Sequence, residues 1–373
     1  MSHGIEVTVA GRTDVGRMRD HNEDAFVVAD LSAGGAPAPD APTPLGPRGL
    51  LLMVADGMGG AAAGEVASAM ATETVLAEVR AHWVEGSADD ADAFAQALRE
   101  ATEAANQALH AHARSQPGRK GMGTTATLVG LLGPWAFLAQ VGDSRAYIVR
   151  GGVATQLTKD QSLMQRLIDA GEMTEAEAEV SERRNIILQA LGPEPRVRVD
   201  LTAQHLCRGD VIVLCSDGLS GQVRAAEIAA VISGTPDLDA ACAELIARAN
   251  AAGGPDNITV IAARVDGEVL PETDDVAPGH RPYVGEQAAR ATQRVDRMSI
   301  AALTATGGET PTAEVAEAPA PTTADAPEAP EAPRAPRRSS EILEAEDEAL
   351  LTPRTAIALL AAGLLLVALW ILR

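Results

Sequence analysis

Residues 50–57 read LLLMVADG, an apolar run that passes directly into Asp56 and a glycine. A short apolar run without polar alternation is typical of a strand that is buried on both faces. The pattern recurs at 210–218, where DVIVLCSDG contains Asp217, and Asp256 stands just before the strand-like ITVIAARV. Because strands end at the rim of a sheet, the sequence predicts buried strands that carry carboxylates at a rim.

The segments around these strands predict the fold class. Further strand-like segments, several joined by short turns that favour antiparallel neighbours, are AFVVAD, TTATLVGLL, WAFLAQVGD, RAYIVRGG and VATQLT. Ala-rich helical stretches at 61–84 and 89–114 form a pair, and a second pair follows at 225–232 and 238–251. This order differs from the strict alternation of a parallel sheet. It predicts an α+β fold of mainly antiparallel sheets covered by helices.

Composition excludes some classes of function. The 373 residues carry a formal net charge of −22 and 2% aromatic residues, so neither a basic stripe nor an aromatic platform for nucleic acid is present. The cysteines Cys207, Cys215 and Cys242 form no C-x-x-C pair and predict reduced core thiols. The N-terminus lacks a basic start followed by an apolar run, so we expect the N-terminal part to stay in the cytosol.

The C-terminal part differs in composition from the rest of the chain. Residues 268–353 lose hydrophobic periodicity and include APAPTTADAPEAPEAPRAP, which predicts a disordered acidic Ala/Pro-rich tether. Residues 355–372, TAIALLAAGLLLVALWIL, are uncharged and long enough to span a bilayer. The alternative is a buried amphipathic helix, but this run has no polar face. We therefore expect a cytoplasmic folded domain at 2–267 and a single-pass transmembrane helix in the cell membrane.

The acids that flank the strands predict a metal site. Any single Asp-Gly pair is more often an ordinary turn, but here the pattern repeats. Two carboxylates about 4 Å apart repel by about 4 kcal/mol at an effective dielectric constant of about 20, so acids gathered at one rim need a cation. Ligands that are all oxygen, with no His or Cys, favour Mg²⁺ or Mn²⁺ over zinc.

A second acidic cluster lies in RMRDHNEDAF, where Glu23 and Asp24 follow shortly after Arg19. This arrangement suits a phosphate ester, because a guanidinium group can bind two phosphate oxygens while metals activate a water. The alternative for Arg19 is a surface ion pair with Glu23, which would contribute little.

Short motifs occur along the chain in this order: R-x-x-x-E-D at 19–24, A-D-G-M-G-G at 55–60, G-M-G-T-T at 121–125, G-D-S-R-A at 142–146, S-D-G-L at 216–219 and D-N-I-T at 256–259. Together they resemble the bacterial branch of the metal-dependent protein phosphatases, the type 2C or PPM serine/threonine phosphatases. No single motif is specific, but the set spans nearly all of 2–267. The resemblance implies an α-β-β-α sandwich that hydrolyses phosphoserine and phosphothreonine in other proteins.

The resemblance also implies roles for particular residues. Two Mn²⁺ or Mg²⁺ ions, and a third that binds more weakly, would be held by Glu23, Asp56, the carbonyl group of Gly57, Asp143, Asp217 and Asp256. Asp56 would bridge the first two ions and Asp143 would bind the third. Arg19 would bind the phosphate, and Asp24 would act through metal-bound waters. Residues 160–192 would form a flap that affects substrate choice.

The implied mechanism is attack on phosphorus by a metal-bridged hydroxide, without a phospho-enzyme. Met58 stands where the animal branch has histidine, which leaves the general acid open. Membrane anchoring favours membrane-associated serine/threonine kinases and their substrates as partners. Two other hypotheses remain: a catalytically idle module that binds phosphoproteins, and a membrane-anchored scaffold that acts through its tether.

Overall fold

The computed structural model describes residues 4–59, 63–116, 118, 121–179, 181–274 and 276–285, which all lie in the first of two compact units of the chain, Met1–Gly307. The predicted transmembrane helix at 355–372 and most of the predicted tether lie outside the described residues. Within them, no helix has both the length and the apolar character needed to cross a membrane.

The helices and strands follow the predicted order of strands, a helix pair, strands, a second helix pair and a final strand, with three short helices between the two pairs in the described part of the chain. The strands are β1 (Glu6–Asp14), β2 (Ala25–Asp30), β3 (Thr43–Pro44), β4 (Leu50–Ala55), β5 (Gly57–Met58), β6 (Gly123–Thr124), β7 (Ala126–Leu132), β8 (Trp135–Val141), β9 (Arg145–Arg150), β10 (Val153–Gln156), β11 (Asp200–His205), β12 (Val211–Cys215) and β13 (Ile258–Asp266). The helices are α1 (Ala63–Val79), which continues into a π-helical turn (Arg80–Val84), α2 (Ala91–Ser115), α3 (Leu163–Asp169), α4 (Glu175–Glu179), α5 (Asp217–Ser220), α6 (Ala225–Gly234) and α7 (Leu238–Ala251).

The strands form two antiparallel sheets. The first has the order β10-β9-β12-β13-β1-β3, and the second has the order β11-β8-β7-β4-β2. β5 and β6 form a small antiparallel pair of their own. Apolar side chains from both sheets share one core cluster, while α1 and α2 pack on the outer face of the second sheet and α6 and α7 on that of the first. The predicted α-β-β-α sandwich of mainly antiparallel sheets is confirmed.

The apolar run in β4 follows from this layering. Leu51 and Met53 point into the cluster that contains α1 and α2, whereas Leu52 and Val54 point into the cluster between the sheets. Both faces of the strand are therefore shielded from water, and alternation with polar residues would bury unpaired polar groups.

Residues 276–285, here called the strap, continue the folded domain past its predicted end at 267. The backbone N–H of Tyr283 donates to the carbonyl oxygen of Leu201 at 2.8 Å, so the strap lies along β11, the edge strand of the second sheet. The Tyr283 ring packs edge-on against Phe137, with 5.3 Å between the ring centroids. The contacts of the folded domain therefore extend beyond the predicted boundary at 267. The strap lacks hydrophobic periodicity because it is fixed by one sheet edge and one aromatic side chain.

Candidate active site

Two pairs of neighbouring strands bring the predicted acids to one end of the sandwich. β4 runs directly into Asp56, and its antiparallel neighbour β2 starts directly after Asp24. β12 ends two residues before Asp217, and its antiparallel neighbour β13 starts two residues after Asp256. Antiparallel neighbours run in opposite directions, so the end of one strand meets the start of the next.

Asp24 is held by a chain of hydrogen bonds. The hydroxyl groups of Ser216 and Thr259 donate to Asp24 Oδ2, at 2.8 and 2.6 Å. Because Thr259 donates to the carboxylate, its oxygen accepts from the Thr13 hydroxyl at 2.7 Å, and Thr13 in turn accepts from Asn22 Nδ2 at 2.7 Å. Asp24 Oδ1 is buried and has no hydrogen-bond partner among the described residues. One carboxylate oxygen is thus fixed and the other remains available to a ligand.

The surroundings of Asp24 favour its protonated form in the absence of metal. Burial raises the pKa of Asp24 to about 7, and the charges of Asp217 and Asp256 add to this rise. The hydrogen bonds from Thr259 and Ser216 lower the pKa and oppose the effect of burial.

The backbone of Asp56 is fixed by residues of two other motifs. Its N–H donates to Thr125 Oγ1 at 2.9 Å, and the Thr124 hydroxyl donates to its carbonyl oxygen at 2.8 Å. The Thr125 hydroxyl also pairs with the Ser144 hydroxyl at 2.7 Å. Burial, together with the charge of Asp24, raises the pKa of Asp56 well above its usual range. The motifs G-M-G-T-T and G-D-S-R-A therefore position a carboxylate that belongs to neither of them.

Asn257 organises the loop that leads to the first acidic cluster. Its Nδ2 donates to the carbonyl oxygens of Val15 and His21, both at 2.9 Å, and its Oδ1 accepts from the N–H of Glu23 at 2.8 Å. A Cβ atom at Gly218 would lie 2.0 Å from the carbonyl oxygen of Asn257. The S-D-G-L and D-N-I-T turns therefore approach so closely that only glycine fits between them.

Glu23 lies between the end of β4 and the first turn of α1. A Cβ atom at Gly57 would be 2.4 Å from the carbonyl oxygen of Glu23, and a Cβ atom at Gly64 would be 2.6 Å from Glu23 Oε2. The absence of side chains at these two glycines lets a buried carboxylate and the Gly57 backbone come together, as the predicted ligand pair requires.

Arg19 points into the same site. Its Nη2 lies 2.8 Å from Asp256 Oδ2, so the ion pair that forms is with Asp256, whereas the surface alternative paired Arg19 with Glu23. About half of the Arg19 side chain, 49%, is exposed. The guanidinium group is thus attached to the acidic rim and still accessible to a phosphate from solution.

Asp143 lies in the turn between β8 and β9. It is buried, and its Oδ1 has no hydrogen-bond partner among the described residues. Burial raises the pKa of Asp143 to about 8; the charges of Asp217 and Asp160 raise it further, and the charge of Arg145 opposes them. This carboxylate therefore interacts electrostatically with the rim and has an oxygen free for a ligand.

The chemistry of these groups fits a hard divalent cation. Within the described residues, no three or more His, Cys, Asp or Glu side chains are drawn together as a complete metal site. Burial and the charge of Asp256 nevertheless raise the pKa of Asp217, and Asp24 and Asp143 each have an unpaired buried oxygen. Carboxylates that repel one another in a buried place need protons or cations, and oxygen donors of this kind suit Mg²⁺ or Mn²⁺.

Comparison with known proteins decides the family. The family model described as Protein phosphatase 2C matches residues 34–257. The chain belongs to this family. Among its relatives, the serine/threonine phosphatase stp of Listeria monocytogenes is 36% identical over 256 residues, which cover 68% of this chain and 94% of that protein.

Solved phosphatases share the fold. The Mycobacterium tuberculosis serine/threonine phosphatase PstP/Ppp matches with a TM-score of 0.59 and 35% identity over 70% of this chain and 99% of that chain. A structure of the PstP catalytic domain in complex with two manganese ions matches with a TM-score of 0.57 and 35% identity, again over 70% and 99%. The prediction of a bacterial-type metal-dependent serine/threonine protein phosphatase is confirmed.

Some residues that support the phosphatase site are not predicted from the sequence. These residues are Thr124, Thr125, Ser144, Ser216, Asn257 and Thr259. All of them lie within the quoted motifs, which was the available signal. Hydroxyl and amide side chains are common in turns, however, so their partners become evident only when the strands are placed side by side.

Proposed function

We propose that this phosphatase hydrolyses phosphoserine and phosphothreonine in proteins with Mn²⁺ or Mg²⁺ held at the acidic rim. The observation that carries the proposal is that carboxylates from separate motifs meet at one end of the sandwich, where Asp24 and Asp143 each have a buried oxygen without a hydrogen-bond partner among the described residues. In agreement with this crowding, the pKa values of Asp24, Asp56, Asp143 and Asp217 are all raised. Without bound cations these carboxylates would destabilise the folded protein, since each ionised member repels the others.

The groups that would hold two ions are Glu23, Asp56, the Gly57 carbonyl, Asp217 and Asp256, with Asp143 as ligand of a third and weaker one. When bound, the ions supply an activated water and neutralise charge on the phosphoryl group. Arg19 binds the non-bridging phosphate oxygens. Asp24 keeps Oδ2 fixed by its two hydroxyl donors and orients water through Oδ1.

The test measures hydrolysis of a phosphothreonine peptide by the full chain. Activity should require Mn²⁺ or Mg²⁺ and disappear with a chelator. Asp56→Asn should abolish turnover while the protein remains folded by circular dichroism, because the change removes a repelling charge. Full activity in chelator, or an unchanged kcat in Asp56→Asn, would reject the proposal. If wild type bound phosphopeptides without cleaving them, the idle binding module would be correct.

We further propose that residues 355–372 anchor the protein in the cell membrane, with the catalytic domain on the cytoplasmic side. The support is the uncharged composition of this run and the arginines Arg334, Arg337 and Arg338 before it, since basic residues favour the cytoplasmic side. The Ala/Pro-rich tether would give the active site a reach of several nanometres. Membrane-associated serine/threonine kinases and their substrates are the expected partners.

Truncation before Arg354 tests the anchor. The truncated protein should move to the soluble fraction, keep its activity on peptides and act less on membrane-associated phosphoproteins. If it still pelleted with membranes, the anchor would be rejected. If removal of the tether alone abolished all cellular function while peptide hydrolysis persisted, the scaffold hypothesis would be favoured.

A further inference from the structure

Gln161, at the start of the predicted flap, forms two hydrogen bonds with the turn that carries Asp143. Its backbone N–H donates to the carbonyl oxygen of Gly142 at 2.9 Å, and its side-chain Oε1 accepts from the N–H of Gly142 at 2.9 Å. Gly142 has a φ of +109°, a conformation that favours glycine. The N–H and the carbonyl oxygen of Gly142, the neighbour of Asp143, are therefore both hydrogen-bonded to one residue of the flap.

The same residue also holds the far end of the flap. Gln161 Oε1 accepts a second hydrogen bond, from Gln189 Nε2 at 2.8 Å, and the carbonyl oxygen of Gln161 accepts from the N–H of Leu188 at 2.8 Å. The Gln189 amide in turn pairs with both backbone groups of Arg198, at 2.8 Å each. The two ends of the flap, described at 160–179 and 181–192, thus meet at Gln161.

A second contact strengthens the connection. Asp160, the neighbour of Gln161, forms a two-pronged ion pair with Arg145, with Nη2 to Oδ2 at 2.7 Å and Nε to Oδ1 at 3.0 Å. Arg145 follows Asp143 by two residues, so the turn is bonded to the flap on both sides of Asp143. Paired planar groups of this kind fix orientation as well as distance.

We propose that Gln161 is a positioning residue that couples the flap to the Asp143 carboxylate. A cation held by Asp143 would then restrain the flap, and by linkage a restrained flap would favour that cation. The inference rests on the proposed function, because it assumes that Asp143 faces a divalent ion. Gln161 would act only through its hydrogen bonds to Gly142, Leu188 and Gln189.

The test follows trypsin cleavage of the full chain after Arg183 and Arg184, two exposed flap residues, by mass spectrometry across a Mn²⁺ titration. In wild type, Mn²⁺ should slow cleavage at these sites by about fivefold, the lower end of typical coupling between sites. Gln161→Met keeps the length of the side chain and removes the acceptor, so the slowing by Mn²⁺ should be lost. Gln161→Glu keeps an acceptor for both donors and should retain the slowing.

Ser162→Ala is the matched control. Ser162 Oγ accepts from the N–H of Gln165 at 3.2 Å and caps α3, so its loss loosens the flap without breaking the bonds of Gln161 to Gly142. Cleavage of this variant should be faster at every Mn²⁺ concentration, yet still slowed by Mn²⁺. Melting curves with and without Mn²⁺ show that each variant is folded and binds the ion.

Hydrolysis of a phosphothreonine peptide by wild type in the same titration separates the two proposals. If wild type hydrolyses the peptide but Mn²⁺ protects the flap of Gln161→Met as well as that of wild type, the coupling is overturned and the phosphatase function stands. The same conclusion holds if Mn²⁺ does not protect the wild-type flap. If wild type does not hydrolyse the peptide, the proposed function fails, whatever the protection.

Discussion

At the scale of single residues, Asp24 makes the stability of the metal-free protein depend on pH. Burial raises the pKa of Asp24 to about 7, whereas a carboxyl group in an unfolded chain titrates near pH 4. The folded protein binds this proton more tightly than the unfolded chain does. The stabilisation that the proton provides is therefore complete below about pH 4 and is lost as the pH rises through about 7. We expect the melting temperature of the chelated protein to fall from about pH 5 to about pH 8.

The variant Asp24→Asn tests this assignment. Without the titrating group, its melting temperature in chelator should depend less on pH and should exceed that of wild type at about pH 8. Added Mn²⁺ should flatten the wild-type curve, because a cation then compensates the charge. Melting followed by circular dichroism gives both curves. An equally steep fall in the variant would assign the pH dependence to other groups.

Arg19 is the residue predicted to bind phosphate. Arg19→Ala should raise KM for a phosphopeptide and lower kcat/KM. The decrease should correspond to a loss of about 1–3 kcal/mol in transition-state stabilisation, the usual loss for a charged hydrogen bond. Arg12→Ala is a suitable control, because Arg12 forms a similarly exposed ion pair, with Asp239, and should leave the kinetics unchanged. Equal kinetic constants for Arg19→Ala and wild type would show that Arg19 does not bind the phosphate and forms only an ion pair with Asp256.

At the scale of elements, the contact between the S-D-G-L and D-N-I-T turns joins α5 to the start of β13. Gly218→Ala would place a Cβ atom 2.0 Å from the backbone oxygen of Asn257, which cannot rotate away. We expect a loss of about 1–3 kcal/mol or more in the free energy of unfolding by urea, and reduced activity. Gly234→Ala, at the last residue of α6, meets no atom within 4 Å and should be neutral or slightly stabilising. Equal stability of both variants would show that the turns can separate.

At the scale of the whole molecule, the strap decides where the folded domain ends. A chain truncated after residue 285 should melt at the same temperature as the full chain. Truncation after 267 should lower the melting temperature by several degrees, because it exposes Phe137 and the edge of β11. Melting of both truncations in the same buffer is the measurement. Identical melting temperatures would support the predicted boundary at 267.

Local sequence patterns are sufficient to predict the layers of the fold and the chemical type of the site. β4 and β12 are recognisable because strands buried on both faces need unbroken apolar runs, a local property of the chain. Asp56 and Asp217 could be predicted as rim carboxylates because each lies within two residues of the end of such a run. β11 is not predicted, since its DLTAQH mixes polar and apolar residues and its inner face becomes evident only against the rest of the sheet.

The side chains that hold the acids in place are set by the packing of the strands. Ser216 and Thr259 reach Asp24 across 192 and 235 residues of sequence, and Asn257 reaches Glu23 across 234. Such partners depend on which strands become neighbours, and no local pattern records that choice. The exit of the chain along β11 was decided in the same way, because the strap pairs with a sheet edge that exists only after the sandwich has formed.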